Sequence, residues 1–342
     1  MDSIDRAAVA SSTLFAPARA ADQPPLCDHG RPALTAAIAT LALGGAERIV
    51  LEWAASCARC YRVRLVVLRR VEIEWPVAAG IELTRLNEGE AAPQLQSIGA
   101  EIAASGNPVV LCHLLDAAER AALAHGGAQP VPVLHNAAAG WIEDAGALAA
   151  ASLVLTVSRA AQRELRMAGV LACSAVVHHI PRVPDPRPHA RAHWRDCWAL
   201  PRAACVIGMV GAVKPQKDYT RALRIFAALL ERRDAWLVIV GGPVGRDGPL
   251  AWYALLTLAQ HLGVAARVRL AGFVPHAADC LPAFDLVLNT SRYEGLSMAT
   301  LEALAAQLPL VVSAVGGQGE ISAPGLALVA PVAGDAMWVD AI

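Results

Sequence analysis

The chain has 342 residues, enough for two domains of ordinary size, and its 29 basic and 30 acidic side chains leave a formal charge of −1. The two signs are interspersed, so there is no basic stripe to attract nucleic acid, and the expected partners are small molecules or local surfaces. Apolar residues supply 56% of the chain but come in short pieces; the uncharged runs 121–142 and 248–266 are broken by Gly, Pro or polar residues, so no transmembrane helix is expected.

Residues 1–30 read as a disordered tail. Ala18-Arg19-Ala20 is an Ala-x-Ala-like cleavage site, but Asp2 and Asp5 stand where a secretory leader carries positive charge, and the apolar stretch is weak. The eight cysteines are scattered through the chain and are expected to be reduced, mostly buried thiols of a cytosolic protein. Cys57-Ala58-Arg59-Cys60 has no second pair at zinc spacing, so it does not read as a metal site.

From Arg31 strand-like and helix-like segments alternate. Ala33–Thr40 reads as the first strand, Gly44-Gly45 as a tight turn, and the residues to about Cys60 as a helix. Strands follow at Arg62–Leu68, Pro108–His113, Val131–His135 and Leu153–Ser158. Ser158 suits a helix N-cap, and the next helix carries Arg159, Arg163 and Arg166, a face open to solvent or to anionic lipid. Ile180 to Pro188 holds four prolines in nine residues and is therefore extended. The expected organisation is a tail (1–30), a first domain (31–180), a linker (181–189) and a second domain (190–342).

The second domain opens with the strand Cys205–Gly211. Lys214 and Lys217 follow, the only two lysines in the chain. Where Arg has taken the other basic positions, a surviving Lys hints at a chemical requirement. Further strands are Trp236–Val240, ending in Gly241-Gly242, then Val268–Val274, Phe284–Ser291 and Leu308–Val315, ending in Gly316-Gly317. Alternation of this kind predicts parallel sheets covered on both faces, with ligands at the carboxyl ends of the strands.

The stretch from Glu294 to Glu302 carries most of the functional information. It follows a buried strand and reads as a helix start, with Gly295 permitting close approach of a ligand and Ser297 as the cap. Read as helix throughout, its two carboxylates stand about 12 Å apart along the axis. A glycosidase pair needs about 5 to 9 Å, so an extended ligand fits better. Unpaired amides in a first helical turn are a natural seat for its phosphates.

The chain is identified as resembling the retaining GT-B glycosyltransferases of family 4, whose E-x7-E motif Glu294 to Glu302 matches. The similarity runs from about Leu34 to Pro331 and is strongest from Ile207 to Gly317. It implies an α/β fold of two Rossmann-like parallel-sheet domains facing a cleft. Lys217 resembles the family's donor-phosphate lysine, and Leu43-Gly44-Gly45-Ala46-Glu47 its acceptor-side glycine loop. Val133-Leu134-His135 is similar to the strand that ends in a catalytic-cleft histidine, with His113 as runner-up. Gly316-Gly317 followed by Glu320 is also similar to the family.

The resemblance implies catalytic roles for Glu294, His135 and Lys217. Glu302, Gly295, Leu296, Ser297, Lys214, Gly211, Phe273 and Val274 would bind the donor, with Gly44 and Gly45 on the acceptor side. No Asp-x-Asp motif stands where a metal would be needed, so the expected enzyme uses no cofactor and no metal. Its partners would be a UDP- or GDP-sugar and a saccharide or lipid-linked acceptor in surface polysaccharide or glycolipid synthesis. The implied location is cytoplasmic, with peripheral contact at the inner membrane face. Two departures stand out: the arginine usual after the strand glycine is Ala212, and the Pro-Asn-Gly turn usual at the linker is Pro181-Arg182. Ala212, together with the end of the chain at Ile342 soon after the last expected strand, keeps open a degenerate, nucleotide-sugar-binding partner subunit, and a third reading is an epimerase acting on the donor.

Overall fold

A computed structural model describes residues 30–87, 89, 91–136, 144–181, 189–244 and 248–342. The expected tail (1–30) and linker (181–189) therefore lie outside the described residues, except at Gly30, Pro181 and His189.

The elements in order are β1 (Ala33–Ile38), α1 (Gly45–Cys57), β2 (Arg62–Val67), β3 (Glu82–Arg85), α2 (Ala91–Ala104), β4 (Val109–His113), α3 (Ala117–His125) and β5 (Gln129–Leu134). They continue with α4 (Ala145–Ala149), β6 (Val154–Thr156), α5 (Arg159–Met167), β7 (Ser174–Val176), α6 (Ala190–Cys197), β8 (Val206–Val210), α7 (Tyr219–Leu230) and β9 (Trp236–Val240). The last are α8 (Gly248–His261), β10 (Val268–Gly272), β11 (Leu286–Asn289), α9 (Met298–Ala305), β12 (Leu310–Ser313), β13 (Leu326–Val329) and α10 (Asp335–Ala341). The strands form one seven-stranded sheet, β3-β2-β1-β4-β5-β6-β7, and one six-stranded sheet, β10-β9-β8-β11-β12-β13. The expected two parallel-sheet α/β architecture is what is found, with strand pairs running parallel in both sheets. By contact density the chain divides into two compact units, parting between Val133 and Leu134.

In the first unit the alternation of side chains along a strand assigns each face its helices. Ala37, Val66 and Val110 pack with Leu95 and Ile102 of α2 and Leu123 of α3. Their neighbours Ala36, Ile38, Leu65 and Val67 point the other way and meet Val50 and Leu51 of α1. The second unit repeats the scheme. Leu237 and Ile239 of β9 join a core with Phe226 of α7, Leu255 of α8 and Trp338 of α10, whereas Val238 and Val240 face Phe284, Leu310 and Val312. Strands buried on both faces must read as continuous apolar runs, which is why β8, β9 and β12 are evident in the sequence.

Three strands escape the sequence reading: β3, β7 and β13. All are sheet edges. The short Ser174–Val176 strand has no fully buried residue, and Glu82–Arg85 is exposed at its first two positions. An edge strand needs no apolar run, so it leaves no such signature. Among the described residues no helix is long and apolar enough to cross a membrane.

Candidate functional site

Parallel strands all present their carboxyl ends to one side, and the second sheet gathers the expected donor residues there. Gly211 follows β8, Gly241-Gly242 follows β9, and Phe273-Val274 follows β10. The backbone ties these ends together: Gly211 donates its amide to Val240 O (2.9 Å), Val213 to Gly242 O (2.9 Å), and Gly241 to Gly272 O (2.8 Å). Phe273 is 40% exposed just past the end of an edge strand.

At the end of β11 three consecutive polar residues, Asn289, Thr290 and Ser291, are all buried. Buried polar groups must be hydrogen-bonded, and these three set the shape of the loop that follows. Asn289 Nδ2 donates to Gln318 Oε1 (3.0 Å) and Ser297 Oγ (3.3 Å), and Asn289 Oδ1 accepts from the Ser291 amide (2.9 Å). Thr290 Oγ1 donates to the carbonyls of Lys217 and Asp218, both at 3.0 Å. Ser313 Oγ, from the end of β12, donates to Ser291 O (2.6 Å).

The loop corrects one expectation. The helix begins only at Met298, with Ser297 as its N-cap accepting from the Thr300 amide. Glu294 therefore stands before the helix and Glu302 in it, so the axial separation derived from continuous helix does not apply. Gly295 is also explained differently: a side chain there would collide with the His135 carbonyl oxygen and crowd Val157. The close approach it permits is to the protein's own backbone. Glu302 is 2% exposed on the inner side of α9. It lies near Cys280, whose thiol is held above its ordinary range by burial first and then by the charges of Asp279 and Glu302.

Lys217 and Glu294 come together. Lys217 Nζ donates to Glu294 Oε1 at 2.5 Å, with side-chain exposures of 15% and 7%. The same carboxylate oxygen accepts from Ser291 Oγ (2.7 Å), and Oε2 accepts from Gln216 Nε2 (3.4 Å). Gln216 is buried and also donates to Tyr293 O (2.9 Å), which fastens the Lys214–Lys217 turn to the loop. Gly211, at φ +151, leaves room for the Lys217 stem, since a Cβ there would press on Lys217 Cε. Beside the lysine, Asp218 sits at φ 47 and caps α7. Burial opposes its charge, but bonds from Arg292 and Thr220 outweigh that and hold its carboxyl below the usual range. Lys214 is exposed, and Leu296 is half-buried.

His135 directly follows β5. Its ring stacks on His179, with centroids 5.9 Å apart and planes 15° from parallel. Burial, and then the His179 charge, push its pKa down to about 3, so the ring is neutral at pH 7. His179 is pushed down to about 4 by burial and then by His178. The runner-up, His113, belongs to the first unit, buried with its ring edge-on to Trp53. Gly44 is there too, as N-cap of α1, with the Glu47 carboxylate filling the space where its side chain would be, and Gly45 begins the helix.

Sequence reasoning missed Gln216, Asn289, Ser291 and Gln318. A polar residue in a loop reads as solvated. The one usable signal was the run of three polar residues closing an apolar strand, where water is not available to pair them. An apolar cavity of 280 Å³ lined by Leu223, Leu255, Val268 and Leu270 shares none of the site residues.

The two α/β sheets with their glycine-ended strands define the GT-B class. The fold matches Anabaena HepE in complex with UDP over 90% of this chain and 88% of that one, at TM-score 0.72 and 17% identity. It matches sucrose-phosphate synthase from Thermosynechococcus elongatus over 91% and 88%, at TM-score 0.73 and 17% identity. Within that class, residues 204–342 match the model of the family described as Glycosyl transferases group 1. D-inositol 3-phosphate glycosyltransferase of Salinispora arenicola (strain CNS-205) is 37% identical over 142 residues, 38% of this chain and 31% of that protein. The protein of the same description from Mycobacterium bovis (strain BCG / Pasteur 1173P2) is 32% identical over 208 residues, 60% of this chain and 42% of that protein. The chain thus spans about a third to two fifths of the length of these relatives.

Proposed function

We propose that the chain is a retaining, metal-independent glycosyltransferase of family 4. It moves a sugar from a nucleotide-sugar donor to a saccharide or lipid-linked acceptor. The observation that carries this reading is the joining of Lys217, Glu294 and the Gly295–Ser297 loop before α9 into one hydrogen-bonded group at the carboxyl ends of the second sheet. Its support from likeness is the family match of residues 204–342 and the UDP bound by HepE.

In this reading Lys217 and the amides of Gly295 and Leu296 neutralise the departing diphosphate, where fixed donors stabilise the charge that develops as the glycosidic bond breaks. Glu302 holds the ribose, Glu294 the sugar hydroxyls, and Gly211, Phe273 and Val274 the remainder of the nucleotide. A neutral His135 contacts the sugar near the reacting carbon. Lys214 adds a second cation, as a point charge without the bidentate reach of the arginine that Ala212 replaces. The Gly44-Gly45 loop serves the acceptor. The domains divide as 31–180 and 190–342, and the enzyme works in the cytoplasm with peripheral contact at the inner membrane face.

The test is a thermal-shift panel of UDP, GDP and their sugars with and without magnesium. Either diphosphate raises Tm without the metal, and Glu302→Ala abolishes the shift. No shift with either nucleotide sinks the reading. The names of the relatives add D-inositol 3-phosphate to the acceptors to assay. Ala212 favours one second reading, a partner subunit that binds nucleotide without transfer. Binding with no transfer or hydrolysis across the donor and acceptor panel distinguishes it.

A further inference from the structure

The short turn Gly316–Glu320 touches two parts of the second unit that are far apart in sequence. At one end, Glu320 Oε2 accepts from the Arg159 amide (3.0 Å) and Oε1 from the Ala160 amide. Ser158 Oγ takes the third amide, Ala161 (3.1 Å). All three donors at the start of α5 are thereby satisfied, two by a carboxylate from about 160 residues away.

At the other end, the turn holds the loop that carries Glu294. The Gly317 amide donates to Gly295 O (2.8 Å), and a Cβ on Gly317 would collide with that same carbonyl and crowd Ser158 Cβ. Gln318 is fully buried, accepts from Thr300 Oγ1 (2.7 Å) and Asn289 Nδ2 (3.0 Å), and donates to Ser313 O (3.1 Å).

We infer that Glu320 is a positioning residue: by fixing the Gly316–Glu320 turn to the first turn of α5, it holds the Glu294–Ser297 loop in its ligand-binding shape. The inference rests on the reading above, in which that loop seats a diphosphate. A simple helix cap would only stabilise α5. A positioning residue also controls the loop, and Ser158 separates the two roles. Ser158→Ala removes a cap from the same helix turn and leaves the bracket to the loop intact, because alanine keeps the Cβ that Gly317 packs against.

The experiment compares Glu320→Ala, Glu320→Gln and Ser158→Ala by site-resolved amide exchange and by UDP titration. Glu320→Ala speeds exchange of the Gly317 amide at least tenfold and raises the UDP Kd about tenfold. Glu320→Gln, which keeps an acceptor oxygen, recovers part of both. Ser158→Ala lowers Tm but leaves Gly317 exchange and UDP affinity within twofold of the parent. Equal effects of Ser158→Ala and Glu320→Ala, or unchanged Gly317 exchange in Glu320→Ala, overturn the inference. If the parent protein binds no UDP, the donor reading fails by itself, and the exchange arm still decides whether Glu320 controls the loop.

Discussion

The Lys217–Glu294 pair makes an unusual demand on any anionic ligand, because the lysine's charge is already engaged by the protein. Replacing Glu294 with Gln keeps the shape and an oxygen to accept from Ser291 Oγ, but leaves the largely buried ammonium without its counter-charge. Removing one partner of a buried ion pair outright costs about 3–5 kcal/mol. The retained amide oxygen brings this nearer the ~2 kcal/mol of a poorly satisfied buried group. For a unit of this size that corresponds to a Tm lowered by about 4–8 °C. The nucleotide response runs the other way. A diphosphate no longer competes with Glu294 for Lys217, so UDP binds about fivefold more tightly, near 1 kcal/mol, while sugar transfer falls because Glu294 is lost to the sugar hydroxyls. Calorimetric titration of UDP on both proteins, with Tm measured beside it, reads both signs. Glu294→Gln binding UDP no more tightly than the parent would refute the claim that the lysine exchanges its carboxylate for phosphate.

The histidine stack predicts a pH dependence. His135 and His179 have folded pKa values of about 3 and 4, both below the unfolded value, so their stabilising contribution is complete above about pH 6.5 and is lost as pH falls toward 4; the Tm of the parent drops over that window, and His135→Leu flattens the drop. Gly295→Ala drives a methyl group into the His135 carbonyl, at a cost of about 1–3 kcal/mol from overpacking; both the urea midpoint and UDP binding fall, and an unchanged midpoint would show that the loop has room to move. Gln318→Leu strips Asn289 and Thr300 of their shared partner inside the fold, costing about 2–3 kcal/mol in the same denaturation assay.

The interior of both sheets was legible in the sequence, because central strands leave a local mark. They read as apolar runs, and the expected site residues Lys217 and Glu294 stand in loops that follow two of them, with Glu302 in α9. The edge strands β3 and β7 and the polar underlay of the site leave none. Gln318 looks like a loop residue until the fold closes over it and pairs it with side chains 18 and 29 positions away. Ser297 caps the helix as expected, but the continuous helix from Glu294 fails for a related reason: Glu294 is bound by Ser291, Gln216 and Lys217, partners drawn from two different loops. These tertiary bonds hold it outside the helix that its sequence spacing suggested.

Two helix starts in the second unit, those of α5 and α9, show what the charged groups do. Both are capped by a serine that takes the third amide, Ser158 on α5 and Ser297 on α9. On α5 the first two amides are met by Glu320, so the protein supplies its own anion there. On α9 the third amide, Thr300, is met by Ser297 Oγ. Glu294, three residues before that cap, is turned aside onto Lys217. In the proposed reading, an anion arriving at α9 takes Lys217 with it and releases the Glu294 carboxylate beside the ligand. In that reading, phosphate capture and the freeing of Glu294 are a single event, which ties the loss of one ion pair to the gain of a group that holds the sugar.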